Sequence, residues 1–361
     1  MILSLNNIKY ILLFLMMFQV ISCSTDQTSE EPKENANSNF EVVTTIYPLG
    51  YLAQEILGTN GNVTVLAKPG VDFHDYEITP GDLLTVYGSD LFILNGLGLD
   101  SGVENVLNLS EFKNPSVLMH SISEDEVLSK TEYAIFSKGH DHGHHDEHDE
   151  HDEHDEHDEH DEHDEHDEHD EHDEHDEHDE HSEDTQIDPH VWLDPVLALV
   201  QAQNIYEALR VLQPQNADEL LKNFEDLSSR LISLDSEYQS GLESCEKEHF
   251  LISHSFAGYL AMRYGFTEIP ISRLSHSDNL SAKEISELLD EVNALGIEHI
   301  LIEPLHSPAV INVFVNDIGL APVTFQPLAS LTEEGVLNGD DYASISLKNL
   351  EVLKEALRCE D

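Results

Sequence analysis

The feature that most constrains this chain is the run from Asp146 to His181, in which the triplet Asp-Glu-His is repeated twelve times. The run contains no apolar residue, so it has no surface whose burial would offset the loss of backbone entropy on folding. We therefore expect the wider segment 139–184 to be a disordered, solvated insert. The folded parts of the chain must be built from the residues on either side of it.

The composition of the repeat has two interpretations. An acidic tract usually serves as a solubilising spacer, but acidity alone does not require a histidine at every third position. Imidazole nitrogens bind zinc, copper and nickel, and carboxylate oxygens suit harder ions, so we favour weak metal collection. The accessory ligands would be His145, His148, His151, His154, His157, His160, His163, His166, His169, His172, His175, His178 and His181.

The net charge narrows the range of partners. The 361 residues carry a formal charge of −58. Each of the twelve triplets contributes −2, so the repeat supplies −24 and the rest of the chain keeps −34. A field of this sign repels nucleic acid and anionic membrane surfaces and attracts cations. We therefore expect no nucleic-acid partner.

The N-terminus has the pattern of an export signal. Residues 1–22 carry one charge, on Lys9, and the apolar run Tyr10–Ile21 is short for a membrane span but fits a signal peptide. The four residues ending in Cys23 resemble a bacterial lipobox, which predicts lipidation of Cys23. Ordinary cleavage and an uncleaved anchor are the alternatives. Residues 23–39 are rich in Ser, Asn and Glu and are typical of a flexible tether.

Two further cysteines remain, Cys245 and Cys359. An even number of cysteines in an exported, oxidising compartment favours a disulfide between them. Two unpaired thiols are the alternative.

From residue 40 onward, the alternation of β-branched runs, turns and helical patterns predicts an α/β fold with parallel sheets. The predicted strands are 41–47, 62–67, 90–94, 116–119, 249–253, 299–302 and 322–325. The predicted helices are a run ending at residue 57, 80–87, a run ending before 214, 216–240, 256–264, 281–295, 307–315 and 341–359. The helix 216–240 would measure roughly 37 Å, enough to bridge two lobes. We divide the chain into an N-terminal lobe (40–190), a linking helical segment (191–243) and a C-terminal lobe (244–361).

Three histidines outside the repeat lie where a site would form. His74 follows the second predicted strand, His190 precedes the linking helices, and His254 follows the strand 249–253. Ligands of open parallel sheets collect outside the carboxyl ends of the strands. Each histidine taken singly is also typical of a hydrogen-bonding loop residue or a helix cap. Together, in a chain with a histidine-rich insert, they favour a zinc site whose fourth ligand is water or oxygen.

Four segments carry a family resemblance: PGVDFHDYEITPGD, DPHVWLDP, SHSFAGYLAMRYGF and LIEPLHSP. They resemble the signature blocks of the metal-binding receptors of zinc/manganese ABC transporters, particularly the periplasmic zinc receptors with a histidine-rich loop. The resemblance extends over about residues 40–357 without the repeat. It implies two (β/α)4-type lobes joined by one long rigid helix and a metal between them. It also implies a monomeric receptor that delivers Zn²⁺ to a membrane permease.

The resemblance also implies a ligand set of His74, His190 and His254. Manganese receptors tend to have a carboxylate in place of the third histidine, so His254 favours zinc. The chain departs from the family at Gln326, where many members have an aspartate near the fourth coordination position. Gln326 offers a neutral carbonyl oxygen or leaves the position to water. Glu303 either orients a ligating imidazole or forms a structural salt bridge.

The expected function is therefore that of an exported, periplasmic or cell-surface lipoprotein that captures zinc for an ABC importer. It would not be an enzyme, and the insert would collect or sense zinc. A manganese, nickel or cobalt receptor of the same fold is one alternative. A zinc hydrolase is another, because three ligands and an activated water suffice for hydrolysis, although the sequence has no HExxH pair. A surface adhesin is the third.

Overall fold

The computed structural model describes residues 39–107, 116–118, 187–272, 281–305 and 310–360. The signal peptide 1–22, Cys23 and the tether before residue 39 lie outside the described residues. The insert 139–184, with the accessory histidines from His145 to His181, also lies outside them. Within the described ranges, no helix combines the length and the apolar character that crossing a bilayer requires.

The N-terminal lobe contains a four-stranded sheet in which all neighbouring strands are parallel. Its order is β2-β1-β3-β4. The strands are β1 (Phe40–Thr44), β2 (Gly61–Val65), β3 (Leu91–Ile93) and β4 (Ser116–Leu118). The helices of this lobe are α1 (Tyr47–Leu57), α2 (Pro80–Tyr87) and α3 (Ser101–Leu107).

The first strand is shorter than the sequence predicts. Its β-branched residues end at Thr44, and Tyr47 already opens α1. Pro48 lies in the first turn of that helix, where its fixed φ suits the helix and its missing N–H leaves no hydrogen bond unmade. The predicted strand 41–47 was therefore wrong at its C-terminal end.

The linking segment contains the two longest helices among the described residues, α4 (Pro195–Leu212) and α5 (Ala217–Gly241). The 25 residues of α5 give a length of about 37 Å at the usual rise. Asn223 of α5 donates to the Ile56 carbonyl of α1 at 3.1 Å. The prediction of one long helix after Pro214 is confirmed.

The C-terminal lobe contains a second parallel sheet, ordered β6-β5-β7-β8. Its strands are β5 (His249–His254), β6 (Thr267–Ser272), β7 (His299–Ile302) and β8 (Ala321–Thr324). Its helices are α6 (Gly258–Tyr264), α7 (Ala282–Leu295), α8 (Ile311–Asn316), α9 (Glu333–Asn338) and α10 (Tyr342–Leu357). The long helix α5 reaches this lobe as well, because the Tyr238 hydroxyl donates to the Ser346 carbonyl of α10 at 2.7 Å.

One hydrophobic cluster runs through both lobes. It includes Val42 of the first sheet, Trp192 and Leu227 of the linking segment, and Phe250 of the second sheet, each 0–2% exposed. Two smaller clusters pack against the opposite faces of the two sheets. Both sheets are thus covered on both faces, as parallel sheets usually are. The shared cluster holds the two lobes against the linking helices.

A disulfide joins Cys245 to Cys359 across 114 residues. The two cysteines also pair through an isolated antiparallel backbone bridge. The bond fixes the C-terminal end of α10 beside the segment that leads from α5 into β5.

Candidate metal centre

The turn that carries His74 follows β2 and lies at the edge of the N-terminal lobe. Residues Phe73–Asp75 form a single 3₁₀ turn, and the Asp72 carboxylate accepts the backbone N–H of His74 at 2.9 Å. This local hydrogen bond fixes the backbone of the turn. The His74 side chain is partly exposed.

The second histidine, His190, is 1% exposed and is held by a buried carboxylate two residues earlier. Asp188 Oδ1 accepts the backbone N–H of His190 at 2.9 Å and lies 2.8 Å from its Nδ1. Because a carboxylate accepts but does not donate, Nδ1 carries the proton and Nε2 is left with the lone pair that could bind a metal. The Tyr259 hydroxyl in turn donates to the Asp188 carbonyl at 2.8 Å.

The third histidine, His254, is the last residue of β5 and is 1% exposed. Glu303 follows the neighbouring parallel strand β7, so both residues lie at the same edge of the sheet. The Glu303 carboxylate lies 3.6 Å from His254 Nδ1. That separation is too long for a hydrogen bond, and the contact is an ion pair only when the imidazole is protonated.

These three imidazoles meet between the two sheets. One nitrogen of each lies within 4.8 Å of the corresponding nitrogen of the other two. The Nε2 atoms of His74 and His190 are 3.2 Å apart. Two nitrogens bound to one tetrahedral zinc at 2.0–2.1 Å are about 3.3 Å apart. The observed separation is thus compatible with two ligands of the same ion.

The space between the histidines has the size of a single ion. A cavity of about 20 Å³ is lined by the three imidazoles and by Glu303 and Gln326, which is room for one water-sized occupant. Apolar and aromatic groups surround it, with His190 5.3 Å from the Trp192 ring. Such walls lower the local dielectric and strengthen electrostatic contacts with a cation.

Glu303 and Gln326 both line the cavity. The Glu303 carboxylate is not among the mutually close ligand atoms, and its position beside His254 suits orientation of that imidazole. The backbone of Gln326 is clamped by Asn349, which donates to the Gln326 carbonyl at 2.8 Å and accepts its N–H at 2.9 Å. This clamp places the Gln326 amide at the cavity wall as a candidate oxygen ligand.

Two buried carboxylates behind the histidines are absent from the candidates that the sequence suggests. Asp188 shows a local signal, because it precedes His190 by two residues, a spacing typical of side-chain to backbone hydrogen bonds. The sequence contains no comparable signal for Glu268, because this residue lies in β6, a strand that the sequence does not predict. Burial and then the negative charge of Asp188 raise the pKa of Glu268 to about 8.

With this geometry described, comparison with known proteins becomes informative. The family model described as the periplasmic component A of a zinc-uptake complex, ZnuA, matches residues 42–356. The chain belongs to this family. Its description names a component of an uptake system, which argues against the zinc-hydrolase alternative.

Two curated relatives illustrate the match. The zinc-binding lipoprotein AdcA of Streptococcus pneumoniae R6 is 26% identical over 354 residues, which are 97% of this chain and 61% of that protein. The high-affinity zinc uptake system protein ZnuA of Bacillus subtilis 168 is 27% identical over 340 residues, 94% of each chain. The chain thus spans about three-fifths of the length of the streptococcal relatives it matches.

A solved structure supports the fold. The Zn(II)-bound AdcA from Streptococcus pneumoniae is 26% identical, with a TM-score of 0.64 over 89% of this chain and 58% of that one. The predicted fold class, with parallel sheets in two α/β lobes, is confirmed.

Proposed function

We propose that this protein is a receptor that captures Zn²⁺ outside the inner membrane and delivers it to the permease of an ABC importer. The observation that carries the proposal is the meeting of His74, His190 and His254 within 4.8 Å, around a cavity of one-ion size. Membership of a zinc-uptake family and the zinc-binding names of its relatives support the same role. Zinc is the cargo of this site.

Three imidazoles account for the choice of metal. Neutral nitrogen ligands favour zinc over manganese, whose preferred ligands are oxygens. The fourth position belongs to water or to the Gln326 amide oxygen. A neutral fourth ligand leaves the ion with its charge less neutralised than an aspartate would, which makes release easier. Manganese, nickel and cobalt remain the competing cargoes for the test below.

The three ligands differ in how firmly they are held. His190 and His254 are buried, and each lies beside a buried carboxylate, Asp188 or Glu303. His74 alone is partly exposed and lies on a single 3₁₀ turn. We infer that the ion enters and leaves on the His74 side, and that displacement of this turn opens the site.

The insert 139–184 would act as a collector of zinc for the site. It ends six residues before His190, and the chain passes from the partly exposed Ile187 to the fully buried Asp188. The first described residue after the insert, Ile187, thus precedes the candidate ligand His190 by three residues. The histidines from His145 to His181 would bind zinc weakly there and raise its local concentration, either as a reservoir or as a sensor of abundance.

Export and anchoring complete the proposal. Residues 1–22 would direct export, Cys23 would carry the lipid, and residues 23–39 would tether a monomeric receptor near its permease. The S. pneumoniae relative bears the name lipoprotein, which supports the anchor. The lobes would extend over 40–190 and 244–361, with 191–243 between them.

Zinc binding by protein lacking 139–184 tests the proposal. Competition with a chelator should show one tight zinc in the deletion protein, and His254→Ala should weaken its binding at least a hundredfold, because zinc loses one of few direct ligands. His299→Ala is the matched control, because His299 lies 3.4 Å from Glu355 and outside the cavity. Loss of tight binding on deletion of the insert, or unchanged binding in His254→Ala, would contradict the proposal. Elemental analysis after competition with manganese, nickel and cobalt identifies the preferred cargo.

A further inference from the structure

Glu268 is a buried acid of β6 that lies behind the metal centre without lining its cavity. It is 6% exposed, and its Oε1 accepts the backbone N–H of Phe256 at 3.0 Å. The Ala257 N–H and the Ser255 hydroxyl also face this carboxyl group. The Glu268 carboxyl group thus lies beside a polar group of each of the three residues that follow His254.

This contact determines how β5 ends. The residues between His254 and α6 form a turn, and Ala257, the N-cap of α6, supplies no side-chain acceptor to the first turn of the helix. Glu268, on the neighbouring strand, instead faces the backbone N–H groups of Phe256 and Ala257, the two residues before the first helical residue. The direction in which the chain leaves β5 therefore depends on Glu268. His254 is the residue at that point.

The same helix reaches the second buried ligand. Tyr259 of α6 donates its hydroxyl to the Asp188 carbonyl at 2.8 Å. The Asp188 carboxylate holds both the backbone and the ring of His190. A continuous set of hydrogen bonds and short backbone segments therefore connects Glu268 with His254 at one end and His190 at the other.

We propose that Glu268 is a positioning residue of the metal centre. Its carboxyl group fixes the turn that presents His254 and, through Tyr259, the segment that presents His190. The inference rests on the proposed zinc-receptor function. It adds that the geometry of the site depends on a residue of β6, a strand that contains none of the three candidate ligands. The required property is a hydrogen-bond acceptor at Oε1, which glutamine retains and leucine lacks.

The experiment compares Glu268→Leu with Glu268→Gln, both in protein lacking 139–184. Zinc dissociation constants come from chelator competition, and the d–d absorption bands of bound Co²⁺ report the ligand geometry. Glu268→Leu should raise the zinc dissociation constant at least tenfold and shift the Co²⁺ bands. Glu268→Gln should stay within threefold of the parent and keep its spectrum. Wild-type binding in Glu268→Leu, or equal weakening in both variants, would overturn the inference.

A stability control separates positioning from general loosening of the lobe. Ile300→Ala creates a cavity in β7, in the cluster on the face of the sheet opposite Phe250. It should lower thermal stability and leave the dissociation constant and the Co²⁺ spectrum unchanged. If Ile300→Ala weakens zinc binding as much as Glu268→Leu does, the effect is not specific to positioning and the inference fails.

If Glu268→Leu does not fold, the variant Tyr259→Phe tests the same inference. It removes one hydroxyl and should raise the dissociation constant at least threefold, with a shifted Co²⁺ spectrum. An unchanged constant in a folded Tyr259→Phe protein would overturn the inference. A parent protein that binds no zinc tightly would instead contradict the proposed function itself, so the two failures are distinguishable.

Discussion

Replacing Asp188 by asparagine should weaken zinc binding by changing the tautomer of a single imidazole, that of His190. The Asp188 carboxylate lies 2.8 Å from His190 Nδ1 and 2.9 Å from its backbone N–H. A carboxylate only accepts hydrogen bonds, so it fixes the proton on Nδ1 and leaves Nε2 for the metal. An amide of the same size has a donor as well. In the orientation that presents NH₂ to Nδ1, the proton moves to Nε2 and blocks the ligand atom.

The expected magnitude follows from the burial of this contact. Loss of a group that orients a metal-ligating histidine typically costs ten- to a hundredfold in affinity, which corresponds to about 1.4–2.8 kcal/mol. Asp188 is 0% exposed, so water cannot replace its charge. The loss should remain smaller than that of a His190→Ala variant, because the ligand atom itself is kept.

Chelator competition in protein lacking 139–184 measures this change without the weak sites of the insert. Asp226→Asn is the matched control, because Asp226 is 66% exposed on α5, where it pairs with Lys222 at 3.5 Å. We expect the control to bind zinc like the parent. A dissociation constant for Asp188→Asn within twofold of the parent would refute the role assigned to Asp188.

Two further predictions concern stability. Burial raises the pKa of Asp100 to about 7 although its carboxylate accepts the Gly96 N–H at 2.5 Å, so the folded state binds the proton more tightly than the unfolded state. The free energy of unfolding should therefore decrease as the pH rises from about 4 to about 7, by up to about 4 kcal/mol. Urea titrations of Asp100→Asn at several pH values should lack this dependence on pH. The same dependence in the variant would contradict the prediction. Replacing both Cys245 and Cys359 by serine should lower the free energy of unfolding by about 4 kcal/mol, because the bond closes a long loop. Equal urea midpoints for the parent and the double variant would count against it.

Local sequence signals were sufficient for several elements. Helix α2 has the bounds that the sequence predicts, because Pro80 occupies its first turn and Thr79 and Asp82 form a capping box. Helix α5 was predictable from its buried leucines, which recur at helical spacing. Such signals depend on neighbours within one or two turns, so a single sequence contains them.

Other elements depend on contacts that are distant in sequence. The strand β6 contains Pro270, which argues against a strand in general, but β6 lies at the edge of its sheet, where a missing N–H is tolerated. Glu268, a residue of the same strand, therefore gave no signal. The spacing of apolar residues also fails to predict α3 and α9. These helices have only seven and six residues, too few for a helical spacing to recur.

The candidate ligands were predictable as a set, but their geometry was not. His74 follows β2 and His254 ends β5, so topology alone places both at the edges of parallel sheets where ligands bind. Their approach across the cleft requires the linking helices and the shared core around Trp192, which come from packing between distant segments. The 3.2 Å between His74 and His190 follows from that packing.

The most direct test of the account locates the tight zinc itself. In crystals of protein lacking 139–184 and loaded with one equivalent of zinc, anomalous scattering at the zinc edge should give one peak. That peak should lie about 2.0–2.1 Å from a nitrogen of each of His74, His190 and His254. A peak bound by other residues, or an anomalous map without a peak at this site, would contradict the central claim.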